Sequence, residues 1–408
     1  MNENKVVPNI RFKGFEDEWE KDSIKNISTM KSGGTPSVNK REYYVGDIPF
    51  IRSSDIKKES TELKINNEAL KNSSAFMVKK GTVLYALYGA TSGQVAISKV
   101  TGAINQAVLA IFPDEFVNKY FLLYWLSLNK GKITNKYLQG GQGNLSAKIV
   151  KNLLLFFPTK LEQQKIGNLF AKLDKLLDLK QQKIDKLELL KKALLQKLFP
   201  KHGAKIPELR FKGYEKDWSV KKLGEITKYV KGYAFQSQSY TKHGVRIIRA
   251  TDISNHNIQK EKNSSIFLSK DMAKLYLKYI IHKKDIIITT VGVNMGNAIY
   301  VYEEQYSLLN QNLVKISTID GFDSLFVYFQ LKQPHYLNYI SRIERGNAQT
   351  SIAINDLWNY SFKVPKIGEQ QKIGNLLSKV DQLIELENKK LQNLQQVKKC
   401  LLQNMFVE

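Results

Sequence analysis

The chain is written twice. Residues 8–27, PNIRFKGFEDEWEKDSIKNI, recur as PELRFKGYEKDWSVKKLGEI from Pro207, a shift of 199. The helix-like stretch beginning LEQQKIGNLF at Leu161 recurs as GEQQKIGNLL from Gly368, a shift of 207. Between these edges the two copies align only loosely. A period near 200 residues is too long for a solenoid unit and fits two whole domains. Like edges around unlike middles describe one scaffold that presents two different surfaces.

Charge says what those surfaces face. The 408 residues hold 63 Lys and Arg against 38 Asp and Glu, a net charge of +25. Residues 1–160 carry 23 basic and 14 acidic side chains, and residues 200–367 carry 25 and 14, so most of the excess sits in the unlike middles. A strongly basic folded chain points to a polyanion, most often nucleic acid, the alternative being a basic surface kept for solubility. The single Cys400 excludes an intramolecular disulfide and a cysteine-rich zinc site, and its place on an apolar helical stripe predicts a buried structural thiol. No apolar run approaches the roughly 20 residues of a membrane span, and the opening MNENKVVPNI lacks a signal-peptide core. The expectation is a soluble, cytoplasmic protein with no membrane association.

Each middle reads as mixed. In the first, TVLYALYG (82–89), QVAIS (94–98), AVLAIFP (107–113) and NLLLFFP (152–158) are apolar strand-like runs bounded by Gly and Pro, and KYFLLYWLSL (119–128) reads as a buried helix. The second keeps the order, with VRIIRATDI (245–253), DIIITTVG (285–292), NLVKIS (312–317), LFVYFQL (325–331) and LWNYSFKVP (357–365). Residues 161–199 predict one long helix, with Thr159 and Glu162 spaced as a capping box and Pro200 and Gly203 as terminators. Both helical stripes break at one place, Lys180–Lys183 and Glu387–Lys390. Stripes this apolar pack on each other, and a pseudo-twofold makes the helices antiparallel. Glu387 then meets Lys180 or Lys183, unless the break is a solvated bulge. The fold class is α+β: two mixed α/β domains, at 1–158 and 207–365, separated by two long antiparallel helices, at 159–199 and 366–408, with a linker at 200–206.

Catalytic signatures are missing. There is no adjacent proline pair for the N/D-P-P-Y/F motif of amino-methyltransferases, and no GxxxxGKS/T phosphate loop. Pro113-Asp114 is the one PD dipeptide, and no D/E-x-K follows at nuclease spacing. The five histidines show no metal-ligand spacing, so no catalytic residue and no metal site is assigned. Polar, Gly-punctuated loops lie between the strands instead. Asn, Gln, Arg and Ser/Thr read base edges, and glycine lets backbone approach phosphate, although ordinary turns use the same residues. The candidate DNA contacts in the first domain are Ser32, Gly33, Thr35, Ser37, Arg52, Tyr88, Thr91, Ser92, Asn105, Gln139, Gln142 and Asn144. In the second they are Lys231, Tyr233, Arg249, Asn294, Asn310, Arg345, Asn347 and Gln349. Arg52-Ser53-Ser54-Asp55 matches Arg249-Ala250-Thr251-Asp252 in place, a recurrence that fits fold maintenance equally well.

The order GGTPS, YYVGDIPFIRSSDI, LYALYGATSGQVAIS, INQA and FFPTKLEQQKIGNLF resembles the specificity subunits of type I restriction–modification systems over essentially the whole chain. P-x-x-x-EQQ heads each long helix, as Pro158 with Glu162, Gln163 and Gln164 and as Pro365 with Glu369, Gln370 and Gln371. The second copy departs from GGTPS, having Lys231-Gly232-Tyr233-Ala234-Phe235. The resemblance implies two target recognition domains, each reading half of a bipartite site in double-stranded DNA. It implies that the helices set the spacer and dock two modification subunits, with the two EQQ motifs as docking residues. Two restriction subunits join these, and S-adenosylmethionine, ATP and Mg²⁺ belong to the partners, leaving this chain non-catalytic. Two other readings remain open: a self-contained methyltransferase or nuclease with degenerate motifs, and a coiled-coil adaptor that binds DNA without sequence preference.

Overall fold

The two stretches that repeat most closely form helices of 38 residues each, Lys160–Lys197 and Ile367–Asn404. A computed structural model describes residues 6–138, 144–201, 203–254, 257–292, 294–346 and 351–407, with the side chains of 344–346 outside the description. The chain divides into two units, residues 1–182 with 389–408 and residues 183–388. Each unit thus combines one variable domain, the first half of the helix that follows it and the second half of the other helix.

Within each unit the two helix halves run antiparallel. In the first, Asp174 pairs with Lys398, and Phe170 stacks on Phe406 at 6.0 Å. In the second, Lys183 pairs with Glu387 at 3.0 Å and Lys191 with Asp381 at 2.5 Å. The pair expected at the break in the stripe is therefore present, with the Glu387 carboxylate buried. Cys400 is a correction: it lies exposed on the outer helix face, where Asn404 Nδ2 donates to its carbonyl. The stripe it was assigned to turns inward at the next residues, Leu401 and Leu402, which are partly buried against the first core.

The strands of the first unit are β1 (Glu20–Ser23), β2 (Ser28–Ser32), β3 (Ile48–Ile51), β4 (Lys64–Ile65), β5 (Phe76–Val78), β6 (Val83–Ala86), β7 (Val95–Ile97), β8 (Gly102–Ile104), β9 (Val108–Pro113) and β10 (Leu154–Phe157). They make an antiparallel sheet ordered β2-β9-β6-β7, a mixed sheet ordered β4-β3-β8-β5 whose β3 and β8 run parallel, and a β1–β10 ribbon. The middle strand β6, Val-Leu-Tyr-Ala, is buried on both faces, as a central strand covered on both sides must be. Asn118 caps the helix Lys119–Leu128 by accepting from the amides of Tyr120 and Phe121.

In the second unit the strands are β11 (Ser219–Lys222), β12 (Thr227–Lys231), β13 (Val245–Ile248), β14 (Ile253–Ser254), β15 (Asn257–Ile258), β16 (Ile266–Leu268), β17 (Ile286–Thr289), β18 (Ala298–Tyr300), β19 (Ser307–Leu309), β20 (Leu313–Thr318) and β21 (Ser361–Val364). The sheets repeat the first unit's pattern: β12-β20-β17-β18, then β16-β13-β19 with β13 and β19 parallel, then β11 with β21. Asp323 caps the helix Ser324–Gln330 as Asn118 caps its counterpart. The cores agree as well. Trp19, Phe121 and Phe406 pack together in the first unit, and Trp218, Phe326 and Phe199 in the second, each phenylalanine from a helix end closing the core.

Candidate nucleic-acid interface

The repeated edges make a clamp that fixes each variable domain to a helix. Arg11 grips Glu162 through two bonds of 2.8 Å, and the carboxylate is fully buried. Arg210 grips Glu369 in the same way at 2.8 and 3.0 Å. Next along the helix, Gln163 donates to Pro158 O and accepts from the Asn118 amide, while Gln370 donates to Pro365 O and accepts from the Asp323 amide. Gly167 and Gly374 then let the capped helix lie close, since a Cβ at either would stand 2.6 Å from Asn118 Oδ1 or 2.8 Å from Asp323 Oδ1. Lys165 sits over the Phe15 ring at 4.7 Å and Lys372 over the Tyr214 ring at 5.0 Å. This corrects two expectations. Glu162 serves Arg11 and makes no capping box with Thr159, whose carbonyl accepts from Gln163 N. Glu162, Gln163, Glu369 and Gln370 face inward with internal partners, which leaves Gln164 (partly exposed) and Gln371 (exposed) as the outward part of the motif.

At the ends of β2 and β12 the backbone crosses a neighbouring strand so closely that only glycine fits. A Cβ on Gly33 would lie 1.8 Å from Ile104 O, and one on Gly232 would lie 2.0 Å from Asn310 O. Gly33 therefore has a packing role common to both copies, despite the departure from GGTPS. Beyond the crossing the copies diverge. In the first, Gly34 packs on Ser74, and the exposed Thr35 hydroxyl donates to Gln106 Oε1 at 2.5 Å, with Ser32 and Ser37 exposed beside it. In the second, Lys231 is exposed, and Tyr233 joins Phe235, Tyr276 and Tyr279 in an aromatic cluster with centroids 4.9–5.3 Å from its own ring. Asn105 and Asn310 form turns beneath these loops, accepting from the amides of Ala107 and Asn312.

Two recurring arginines also have partners within the fold. Arg52 Nε meets Asp55 at 2.9 Å and its Nη2 meets Glu62 at 3.2 Å. Arg249 Nε meets Asp252 at 3.2 Å, and its Nη2 donates to Ser264 O at 2.7 Å. Burial opposes ionisation of Asp55, but bonds from Lys58 and Arg52 outweigh it and hold the carboxyl below the usual range. Both arginines thus brace a turn, with about a third of each side chain still exposed. Ser92 is likewise corrected: it is buried, and its hydroxyl donates to Leu87 O. Tyr88 bridges to Asn144, which brings the 88–93 loop beside the segment before the closing strand, and Thr91 is partly exposed there. Val291 bridges to Ser351 in the second unit, near the exposed Asn294. Gln139, Gln142, Asn347 and Gln349 lie outside the described residues, as does the side chain of Arg345, whose backbone ends the helix Pro334–Gly346.

Gln106 belongs to the Asn105-Gln106 loop that the sequence singles out, but its bond to Thr35 and the backing of Tyr233 by Tyr276 and Tyr279 are contacts that no local pattern announces. The trace that the clamp pairings leave in the sequence is the recurrence of both members, Arg11 with Glu162 and Arg210 with Glu369, inside the repeated edges. Among the described residues no helix is long and apolar enough to cross a membrane, and no three His, Cys, Asp or Glu side chains gather as a metal site.

Residues 16–189 and 215–396 each match the family described as Type I restriction modification DNA specificity domain. The chain is 26% identical over 405 residues to the type I restriction enzyme MjaIX specificity subunit of Methanocaldococcus jannaschii, spanning 94% of this chain and 92% of that one. It is 22% identical over 399 residues to the MjaVIII specificity subunit of the same organism, spanning 95% and 91%. In fold it is similar to the crystal structure of a type I restriction–modification S subunit from M. genitalium, with a TM-score of 0.68 at 17% identity over 98% of this chain and 99% of that one. Matched twice over most of its length, and built twice on one clamp, the chain belongs to the type I restriction–modification DNA specificity family.

Proposed function

We propose that this chain is the DNA-specificity subunit of a type I restriction–modification complex, in which each unit reads one half of a bipartite double-stranded target. The observation that carries the reading is the contrast within each unit: an identical clamp at the helix and different side chains around Gly33 and Gly232. A shared scaffold with unlike exposed loops is what two independent readers of different half-sites require. The basic excess of both variable domains suits the phosphate backbone. Modification subunits dock on the outward helix faces, with Gln164 and Gln371 among the contacts, and restriction subunits join them. S-adenosylmethionine, ATP and Mg²⁺ work in those partners, and this chain positions DNA without doing chemistry.

Exchanging residues 1–158 for the equivalent domain of a relative, and mapping methylated sites in cells that also express the modification subunit, tests the reading. One half of the motif changes and the other stays; a change in both halves refutes independent reading. The long helices set the spacer. Four residues inserted after Lys183 add about 6 Å of helix, close to two base-pair steps, and the mapped spacer grows by about one or two base pairs. An unchanged spacer with unchanged efficiency leaves the helices as docking elements only.

A further inference from the structure

Beside the Gly232 crossing the second unit carries an apolar ridge whose equivalent position in the first unit is polar. Residues Lys274–Tyr279 form a tight turn that kinks at Tyr276, with φ −120° and ψ 27°. Leu275 and Leu277 project from it, 77% and 58% exposed. Tyr276 lies 4.9 Å from Tyr233 and 5.1 Å from Phe235, so the turn is backed by rings and held rigid. The backing ring of Tyr233 follows Gly232 directly, which puts the ridge beside the candidate reading loop and its exposed Lys231. In the first unit the same place is polar. Ile280 bridges to Leu308 as Met77 pairs with Ala103, an offset of 203 that sets Asn72-Ser73-Ser74 opposite Leu275-Tyr276-Leu277.

A single exposed leucine needs no explanation, but two on one buttressed turn, between Lys274 and Lys278, have a particular fit to DNA. Lys274 is paired with Asp271 at 2.8 Å, Lys278 complements phosphate, and in the major groove the thymine 5-methyl group is the apolar feature of a base edge. We propose that Leu275 and Leu277 contact thymine methyl groups in the half-site read by the second unit, with Lys231 and Lys278 on the flanking phosphates. This rests on the specificity-subunit reading above.

The test uses the assembled methyltransferase complex and a duplex carrying its mapped target. Each thymine of the second half-site is replaced in turn by deoxyuridine, which removes only the methyl group, and affinity is read by fluorescence anisotropy at fixed salt. Each contacted methyl is worth about fourfold in affinity, the equivalent of burying one methylene at about 0.8 kcal/mol. The penalty vanishes in the Leu275→Asn/Leu277→Ser variant, whose exposed positions carry the first unit's residues. Uracil that weakens binding nowhere, a penalty that persists in the variant, or a second half-site without thymine on either strand overturns the proposal. Binding to the target no tighter than to a scrambled duplex is a different failure, that of the specificity reading itself.

Discussion

At the helix end of each unit, Arg11 on Glu162 and Arg210 on Glu369 repeat one another to within 0.2 Å, and the glutamines and glycines that follow keep the same partners. At the other end, Gly34 against Ser74 in the first unit gives way to Tyr233 against Tyr276 in the second. The difference teaches where substitution is tolerated. A buried carboxylate, a glycine under a capped helix and a backbone crossing admit almost no alternative side chain. Loop residues beyond the crossing touch solvent on one side and can change without cost to the core.

Breaking the clamp has the largest expected effect. Glu162→Ala leaves the Arg11 guanidinium, 14% exposed, without its bidentate partner, and Glu369→Ala does the same to Arg210 at 13%. Removing one member of a buried ion pair costs about 3–5 kcal/mol. Urea unfolding is followed by fluorescence in variants that keep only Trp19 and Trp125, or only Trp218 and Trp358, so that each reports one unit. Each substitution is expected to destabilise its own unit by a similar amount. Unequal losses break the equivalence of the two clamps.

The clamp also shows what a sequence reveals and what it withholds. The duplication, the long helices and the alternation of strand and helix follow from periodicity and repeated spelling, and the helices expected at 159–199 and 366–408 are observed as Lys160–Lys197 and Ile367–Asn404. The inward direction of Glu162 was withheld, because its partner lies 151 residues earlier and a charged residue at a helix start reads as a surface group. At Arg52 the sequence shows a type that suits a base edge, and the structure adds a bond to Asp55 three residues on. Loop identity was legible at Thr35 and Tyr233, but the pairing of Thr35 with Gln106 is set by chain crossing over 71 residues.

A difference between the units should appear with pH. Burial pulls the Lys332 ammonium down to about 7 from the ordinary 10.5, with Lys191 adding to the effect, whereas the corresponding Ser127 of the first unit is exposed and does not titrate. The unfolded lysine keeps its proton up to 10.5 and the folded one releases it near 7. Between those values the unfolded state binds more protons, so rising pH favours the folded second unit, by at most about 1.4 kcal/mol per pH unit. Below pH 7 the contribution is flat. Urea midpoints between pH 7 and 9 should rise more steeply for the native chain than for Lys332→Met. Parallel slopes remove Lys332 as the cause.

Smaller effects come from the glycines under the capped helices. Gly167→Ala and Gly374→Ala each force a Cβ against Asn118 or Asp323, an overpacking of about 1–3 kcal/mol. Equal losses in urea midpoint support one packing rule for both units, and a loss in only one shows that the other helix can retreat.

The smallest change in stability, paired with the clearest change in specificity, belongs to the reading end. Thr35 and Gln106 are exposed and bonded to each other across the crossing, so Gln106→Ala should alter the urea midpoint by less than about 0.5 kcal/mol. If the amide reads a base edge, one position of the first half-site relaxes by about 1–3 kcal/mol of discrimination while the second half-site stays as it was. Arg52→Ala gives the opposite pattern. It leaves Asp55 buried with one cation fewer, lowers the stability of the first unit, and leaves the methylated motif unaltered. The two substitutions together decide whether position on the scaffold or residue type predicts readout. A relaxed motif with Arg52→Ala and an intact one with Gln106→Ala would reverse the assignment, returning the recurring arginines to the DNA and making the Thr35–Gln106 pair a brace.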